Sequence, residues 1–209
     1  MDKIKLSRKE KDKLRHKEEI LKVALSLFSS KGFHNVSMQD IASKSEFGVG
    51  TLYNFFESKE ALFEELLNTT GEHVMSEFSE ILDGPGNEKD RLAAFIRRQP
   101  RLQEKHGQVI KLFVSELGIK GSRLSKIRDG SKIHEVLDSK LEMLIEQGIR
   151  KGLFRVVDPE ITAKALGATV ETLIFETTGY FDHDTVTKMF KKVEQLFLDG
   201  LLMPKDQKQ

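Results

Sequence analysis

The side chains best placed to do chemistry lie on one short stretch, Val49-Gly50-Thr51-Leu52-Tyr53-Asn54-Phe55. At helical spacing Leu52, Phe55 and Phe56 turn inward, leaving Val49, Gly50, Thr51, Tyr53 and Asn54 outside. Such a face carries no proton-transfer pair and no metal ligand. Its chemistry is hydrogen bonding and methyl contact: laid in a DNA major groove, Thr51 and Asn54 reach base edges or phosphates and Val49 meets a thymine methyl. The stretch contains no arginine. Bidentate guanine reading from it is therefore not expected, and selectivity should lean on methyl contacts, DNA shape and a basic arm.

Catalytic constellations are missing from the sequence. His16, His34, His73, His106, His134 and His183 are scattered, with no HExxH and no His-x3-His pair to hold a metal on one helix face. Gly48-Val49-Gly50 lacks the third glycine of a dinucleotide loop, and there is no nucleophile elbow or Walker A motif. Cysteine is absent, which removes disulfides, thiolate zinc sites and cysteine nucleophiles. We expect no cofactor, no metal and no enzymatic activity.

The elements that must position the recognition stretch can be read locally. Ser37 followed by Asp40 is a capping-box start, so a helix should begin at Met38, with Met38, Ile41 and Ala42 on its inner face. The pattern breaks over Ser45 to Gly48, and the recognition stretch comes next. Two short helices joined by a tight turn form a helix-turn-helix whose second member is sized for the major groove. A preceding helix with Ile20, Val23, Ala24, Leu27 and Phe28 inside should end at Gly32 in a Schellman-type left-handed residue, with Phe33 packing back on Phe28. Ser58 caps a long helix from Lys59 to about Leu82, roughly 35 Å of rod coupling this unit to the C-terminal two thirds of the chain.

The run from Gly50 through Glu60-Ala61-Leu62-Phe63, with Asp40-Ile41-Ala42 and the Gly32-Phe33 turn upstream, resembles the signature of TetR/AcrR-type transcriptional regulators over about residues 9 to 70. Glu46 stands at a turn position where that family often has glycine, and Gly48-Val49 where a hydroxyl and a polar or basic residue are common. The resemblance implies that Tyr53 and Lys59 clamp phosphates, and that Ser37, Met38 and Gln39 meet the other strand. Read from side-chain type alone, Tyr53 could equally be a packing aromatic and Lys59 a solvated lysine.

Charge adds a local argument only. The chain has 34 basic and 33 acidic residues, a net charge of +1. Residues 1 to 17 hold eight basic side chains against three acidic ones, which suits either an arm that follows phosphates or a solvated, frayed terminus. Those residues are too charged for a signal peptide, and no apolar run approaches the roughly 20 residues of a membrane helix. A cytoplasmic protein is expected.

The remainder reads as an all-α bundle. Asp83-Gly84-Pro85-Gly86-Asn87 is a loop; a helix with Leu92, Phe95 and Ile96 is kinked or ended near Pro100, and another carries Val109 to Leu117. Gly118 to Arg128 is a loop or weak helix, and a stripe from Ile133 to Ile149 ends at Lys151-Gly152. The GxxxG from Gly148 to Gly152 reads as a capping coincidence. Asp158-Pro159-Glu160 starts the next helix, and the last runs from about Asp184 to Leu202.

The first of these is apolar on two faces, Ile161, Ala165, Ala168, Thr172 and Phe175 on one and Ala163, Leu166, Val170, Leu173 and Ile174 on the other, and the last repeats the pattern with Val186, Met189, Phe190, Val193, Leu196, Phe197 and Leu201. A four-helix subunit interface through Ala165, Thr172, Phe175, Met189, Phe190, Val193 and Phe197 is expected, against the alternative of an ordinary core. The resemblance, in which the last two helices dimerise, favours the interface. It also implies a small, partly apolar ligand among the middle helices, for which Phe78, Phe95, His106, Phe113, Glu171 and Phe175 are candidates.

The expected architecture is thus a three-helix helix-turn-helix DNA-binding domain over residues 9–69 and a helical ligand-binding and dimerisation domain over 70–209. The expected function is a homodimeric repressor released from a palindromic double-stranded operator by a small molecule. The rival is a helical small-molecule-binding or enzymatic domain whose first helices are only structural.

Overall fold

The computed structural model describes residues 7–117 and 130–202, which fold into eight α-helices and one 3-10 turn. They fall into two units, Met1–Leu67 and Asn68–Gln209.

In the first unit, α1 (Arg8–Lys31) opens with a reciprocal capping box: Ser7 N donates to Glu10 Oε2 at 2.8 Å and Glu10 N to Ser7 Oγ at 3.3 Å. The basic stretch is therefore helical from Arg8 onward. Gly32 ends the helix at φ +81° and ψ 150°, positive in φ but extended in ψ, so the expected Schellman turn does not form. A 3-10 turn, Phe33–Asn35, takes its place, and Asn35 Nδ2 donates to the Lys31 carbonyl left open at the helix end. The Phe33 ring still packs on Phe28, with centroids 5.2 Å apart, and Phe63 completes the cluster at 5.0 and 6.1 Å.

Ser37 and Asp40 form the expected capping box of α2 (Met38–Ser45), and Gly48 precedes α3 (Val49–Phe55). Between them Glu46 takes the left-handed conformation at φ +60°, and its N–H reaches back to Ala42 and Ser43. Ile20, Ile41, Leu52 and Leu62 are fully enclosed, so all three helices and the start of α4 (Lys59–Leu82) contribute to one core.

In the second unit, α5 (Glu88–Leu117) runs unbroken through Pro100. Proline removes the N–H that would bond Ile96. The helix continues because Leu92, Phe95 and Ile96 before it and Leu102, Val109 and Leu112 after it are all buried, so packing on both sides outweighs one missing bond. The start of α5 is pinned by Glu88, which is wholly enclosed: Arg91 and Lys151 both donate to Oε1, and Arg91 also reaches the Leu82 carbonyl at 2.8 Å.

Helix α6 (Gly130–Arg150) ends at Gly152, where φ is +66°. Gly148 has a separate task. A Cβ there would lie 2.1 Å from Phe154 Cδ2, so the bare backbone is what admits the buried Phe154 ring. Asp158 and Asp182 cap α7 (Pro159–Thr177) and α8 (His183–Leu201). The segment expected as a loop at Gly118 to Arg128 lies outside the described residues. No helix among the described residues is long and apolar enough to cross a membrane.

Candidate nucleic-acid interface

Helix α3 is held by Leu52 and by the buried Phe56 at its end, and it leaves its other side in solvent. Gly50 and Asn54 are exposed, Tyr53 is 49 % exposed, and Val49 and Thr51 are half-buried. An ideal Cβ on Gly50 would meet nothing within 4 Å. No neighbour in the chain asks for glycine at that point. Ser37 and Gln39 are likewise exposed at the start of α2, where Ser37 Oγ and N bond Asp40 at 2.6 and 2.8 Å. These bonds, the side-chain one foremost, hold the Asp40 carboxyl below its ordinary value and keep it charged at the positive end of the helix.

Two of the expected contact residues are used by the fold instead. Met38 is only 5 % exposed, because the first inward position of α2 must fill the core beside Ile41 and Ala42. Lys59 Nζ donates to the carbonyls of Phe33 (2.9 Å) and Val36 (2.8 Å) and sits 4.4 Å from the centroid of the Phe33 ring. Its ammonium closes the segment between α1 and α2 onto α4, which displaces the clamp reading for that side chain. Nothing in its local sequence distinguishes these carbonyl acceptors from a phosphate.

Along α1, Lys17 pairs with Glu65 at 2.5 Å and Arg15 with Asp12 and Glu19. Arg8, Lys9, Lys11 and Lys13 are exposed on its first turns. The basic arm is thus helical from residue 8, with these four cations exposed on more than one side of it.

In the second unit, Ala165 and Thr172 are exposed and Phe175, Met189 and Phe197 half-buried, while Phe190 and Val193 are enclosed in the unit's own core. The last two are thus corrected: they face α5 and its neighbours in the same chain. The sequence left out Ile161 and Leu196 from its interface set, although they are 67 % and 69 % exposed and continue the same outward stripes.

Of the ligand candidates, Phe78 and Phe95 are a T-shaped pair, 4.9 Å between centroids, within the core. His106 is half-buried. Its Nε2 is enclosed without a hydrogen-bond partner among the described residues, and burial, with Lys105 second, pushes its pKa down. Glu171 is half-buried on α7, and the side chain of Phe113 lies outside the described residues. A cavity of about 340 Å3 opens elsewhere, between α5 and the α7–α8 turn. None of the five candidates with described side chains lines it.

A family model described as bacterial regulatory proteins, tetR family, matches residues 20–66, and one described as tetracyclin repressor-like, C-terminal domain, matches residues 85–197. The chain is 28 % identical over 162 residues to the uncharacterized HTH-type transcriptional regulator YhgD of Bacillus subtilis, covering 77 % of this chain and 83 % of that one. It is 29 % identical over 140 residues to the HTH-type transcriptional repressor KstR2 of Mycobacterium tuberculosis, covering 66 % and 68 %. Among solved structures, a TetR-family regulator from Syntrophomonas wolfei superposes with a TM-score of 0.74 at 23 % identity, covering 91 % of this chain and 98 % of that one, and shares the fold.

Proposed function

Because the chain belongs to the TetR family of bacterial DNA-binding regulators, we propose that it works as a homodimeric repressor released from a palindromic operator by a small molecule. Family membership makes it a transcription regulator and not an enzyme, which sets aside the rival of a purely metabolic helical domain. The observation that carries the reading is the outward side of α3, where Gly50, Tyr53 and Asn54 stand free of the core around Leu52.

We assign the DNA-binding domain to about residues 9–69 and the ligand-binding and dimerisation domain to 70–209. Ser37, Gln39, Val49, Gly50, Thr51, Tyr53 and Asn54 face the groove, with the basic turns of α1 on flanking phosphates. Ile161, Ala165, Thr172 and Leu196, with the half-buried Phe175, Met189 and Phe197, form the face that meets a second copy. Two copies present their α3 helices to successive major grooves, about 34 to 36 Å apart, and a partly apolar ligand that favours another separation lowers affinity. Helix α4 is continuous from Lys59 to Leu82, with residues in both units. It is the element through which such a shift would travel. The site of action is chromosomal DNA in the cytoplasm.

The test is an operator selected from random duplexes, followed by a gel shift at several salt concentrations. Sequence-selective binding that weakens steeply with salt is expected. Absence of selective binding at about 0.15 M salt, with dimeric protein, refutes the proposal.

A further inference from the structure

We propose that the cavity between α5 and the α7–α8 turn binds a small organic acid, its apolar body against Pro100, Phe181 and Val186 and its carboxylate at Lys111. The cavity, about 340 Å3, falls within the range of small-molecule sites. It is distinct from the central residues Phe78, Phe95 and His106, none of which lines it.

Two glycines shape it. Gly107 lies in the interior of α5, where glycine is less favourable than alanine. A Cβ there would make only an ordinary contact, 3.9 Å from Thr178 Cγ2. Neighbouring atoms do not exclude a side chain, and what its absence provides is room in the cavity. Gly179, at φ +83°, makes the left-handed turn after α7, and a Cβ on it would lie 3.4 Å from Lys111 Cδ and 3.8 Å from Lys111 Nζ. The bare turn is thus what the lysine stem lies beside.

The polar groups then decide the class of occupant. On the floor, the amide nitrogen of the buried Gln103 donates to Thr177 Oγ1 (2.8 Å), Thr178 Oγ1 (2.7 Å) and the Ile174 carbonyl (3.3 Å). Both threonine hydroxyls donate to carbonyls one turn earlier in α7. The Gln103 amide hydrogens and both hydroxyl hydrogens are thus spent within the chain, and the floor has no hydrogen of these groups left to donate to an occupant. On the rim, His183 Nδ1 lies 3.5 Å from the Glu104 carboxylate, an ion pair only when the imidazole is protonated, and Lys111 has no carboxylate within ion-pair distance among the described residues. Among the described lining residues Lys111 is the permanent cation, and a lysine beside the apolar surface of Pro100, Phe181 and Val186 suits an amphipathic anion. Because the Gln103 amide ties α5 to the last turn of α7, an occupant would also bear on the helix assigned above to the dimer face. That regulatory consequence rests on the proposed function; the binding itself does not.

The experiment titrates benzoate, phenylacetate and octanoate, each beside its own uncharged primary amide, into the isotope-labelled full chain without DNA. Affinity is read by calorimetry and location by amide shifts. At least one acid should shift the Gly107 and Gly179 amides and bind roughly tenfold more tightly than its amide, the Lys111→Met variant should lose that preference, and Gly107→Leu should lose binding of both. Lys111→Met alters only an exposed position, so it remains informative if Gly107→Leu lowers the melting temperature. No shift at these amides up to about 10 mM of every acid, or equal affinity for acid and amide, overturns the proposal. Binding without any effect on operator affinity would leave the site standing and refute its regulatory consequence.

Discussion

Replacing Gly50 by alanine should make the protein more stable and a worse DNA binder at the same time. The new methyl group would have nothing within 4 Å in the free protein. Glycine in a helix is less favourable than alanine by about 0.8 to 1 kcal/mol, and near a helix start some of this is forfeited, so a gain of roughly 0.5 to 1 kcal/mol is expected. For a unit of this size that corresponds to a melting point higher by roughly 2 to 8 °C. In the groove the same methyl group intrudes on closely packed atoms, where overpacking costs about 1 to 3 kcal/mol, or roughly a fivefold to hundredfold loss of operator affinity. Thermal melting monitored by circular dichroism and a fluorescence anisotropy titration on the selected operator measure the two effects. A raised melting point with unchanged affinity would show that this part of α3 does not approach DNA.

Tyr53→Ala should weaken operator binding with little change in melting temperature, since the ring is half-exposed, whereas Lys59→Met should lower stability by about 1 to 3 kcal/mol by leaving the Val36 carbonyl unpaired and the Phe33 carbonyl with only the 3.4 Å bond from Val36 N. Denaturant titration separates the two; equal stabilities would contradict the architectural role of the lysine. Glu46→Gly should stabilise by about 1 kcal/mol, because φ +60° strains a side chain there, and a destabilised variant in the same titration would count against that strain. Gly148→Ala should cost about 1 to 3 kcal/mol or more, its methyl group driven into the Phe154 ring, and a crystal structure or melt showing no loss would refute this packing. Burial holds the His106 imidazole below its ordinary 6.5, so the unfolded chain takes up that proton first and the protein loses stability as pH falls below about 6.5. His106→Gln should flatten the acid side of a stability profile between pH 7 and 5, and an unchanged slope would show that other groups cause it.

What the sequence made legible is what depends on near neighbours. Ser37 with Asp40, Asp158 with Pro159, and the inward set Ile41, Leu52 and Phe56 each declare their role within a few residues, and each stands where expected. The capping box at Ser7 and Glu10 is equally local, but the charge around it hides it. Pro100 misleads because proline's effect is local while the burial that carries α5 through it comes from distant segments. Phe190 and Val193 could not be assigned because a helix apolar on two faces looks the same whether its second face meets its own core or another copy. Lys59 and Gly148 depend on partners that only folding brings near: the Phe33 and Val36 carbonyls for one, the Phe154 ring across a turn for the other.

The division of labour around α3 bears on how such a regulator could change its target. Met38, Leu52 and Lys59 are committed to holding the three helices together, while Gly50, Tyr53 and Asn54 hold no side-chain hydrogen bond and no core position among the described residues. Mutation can therefore explore the exposed set with little risk to folding. New operator preferences are accessible one substitution at a time, through intermediates that remain folded.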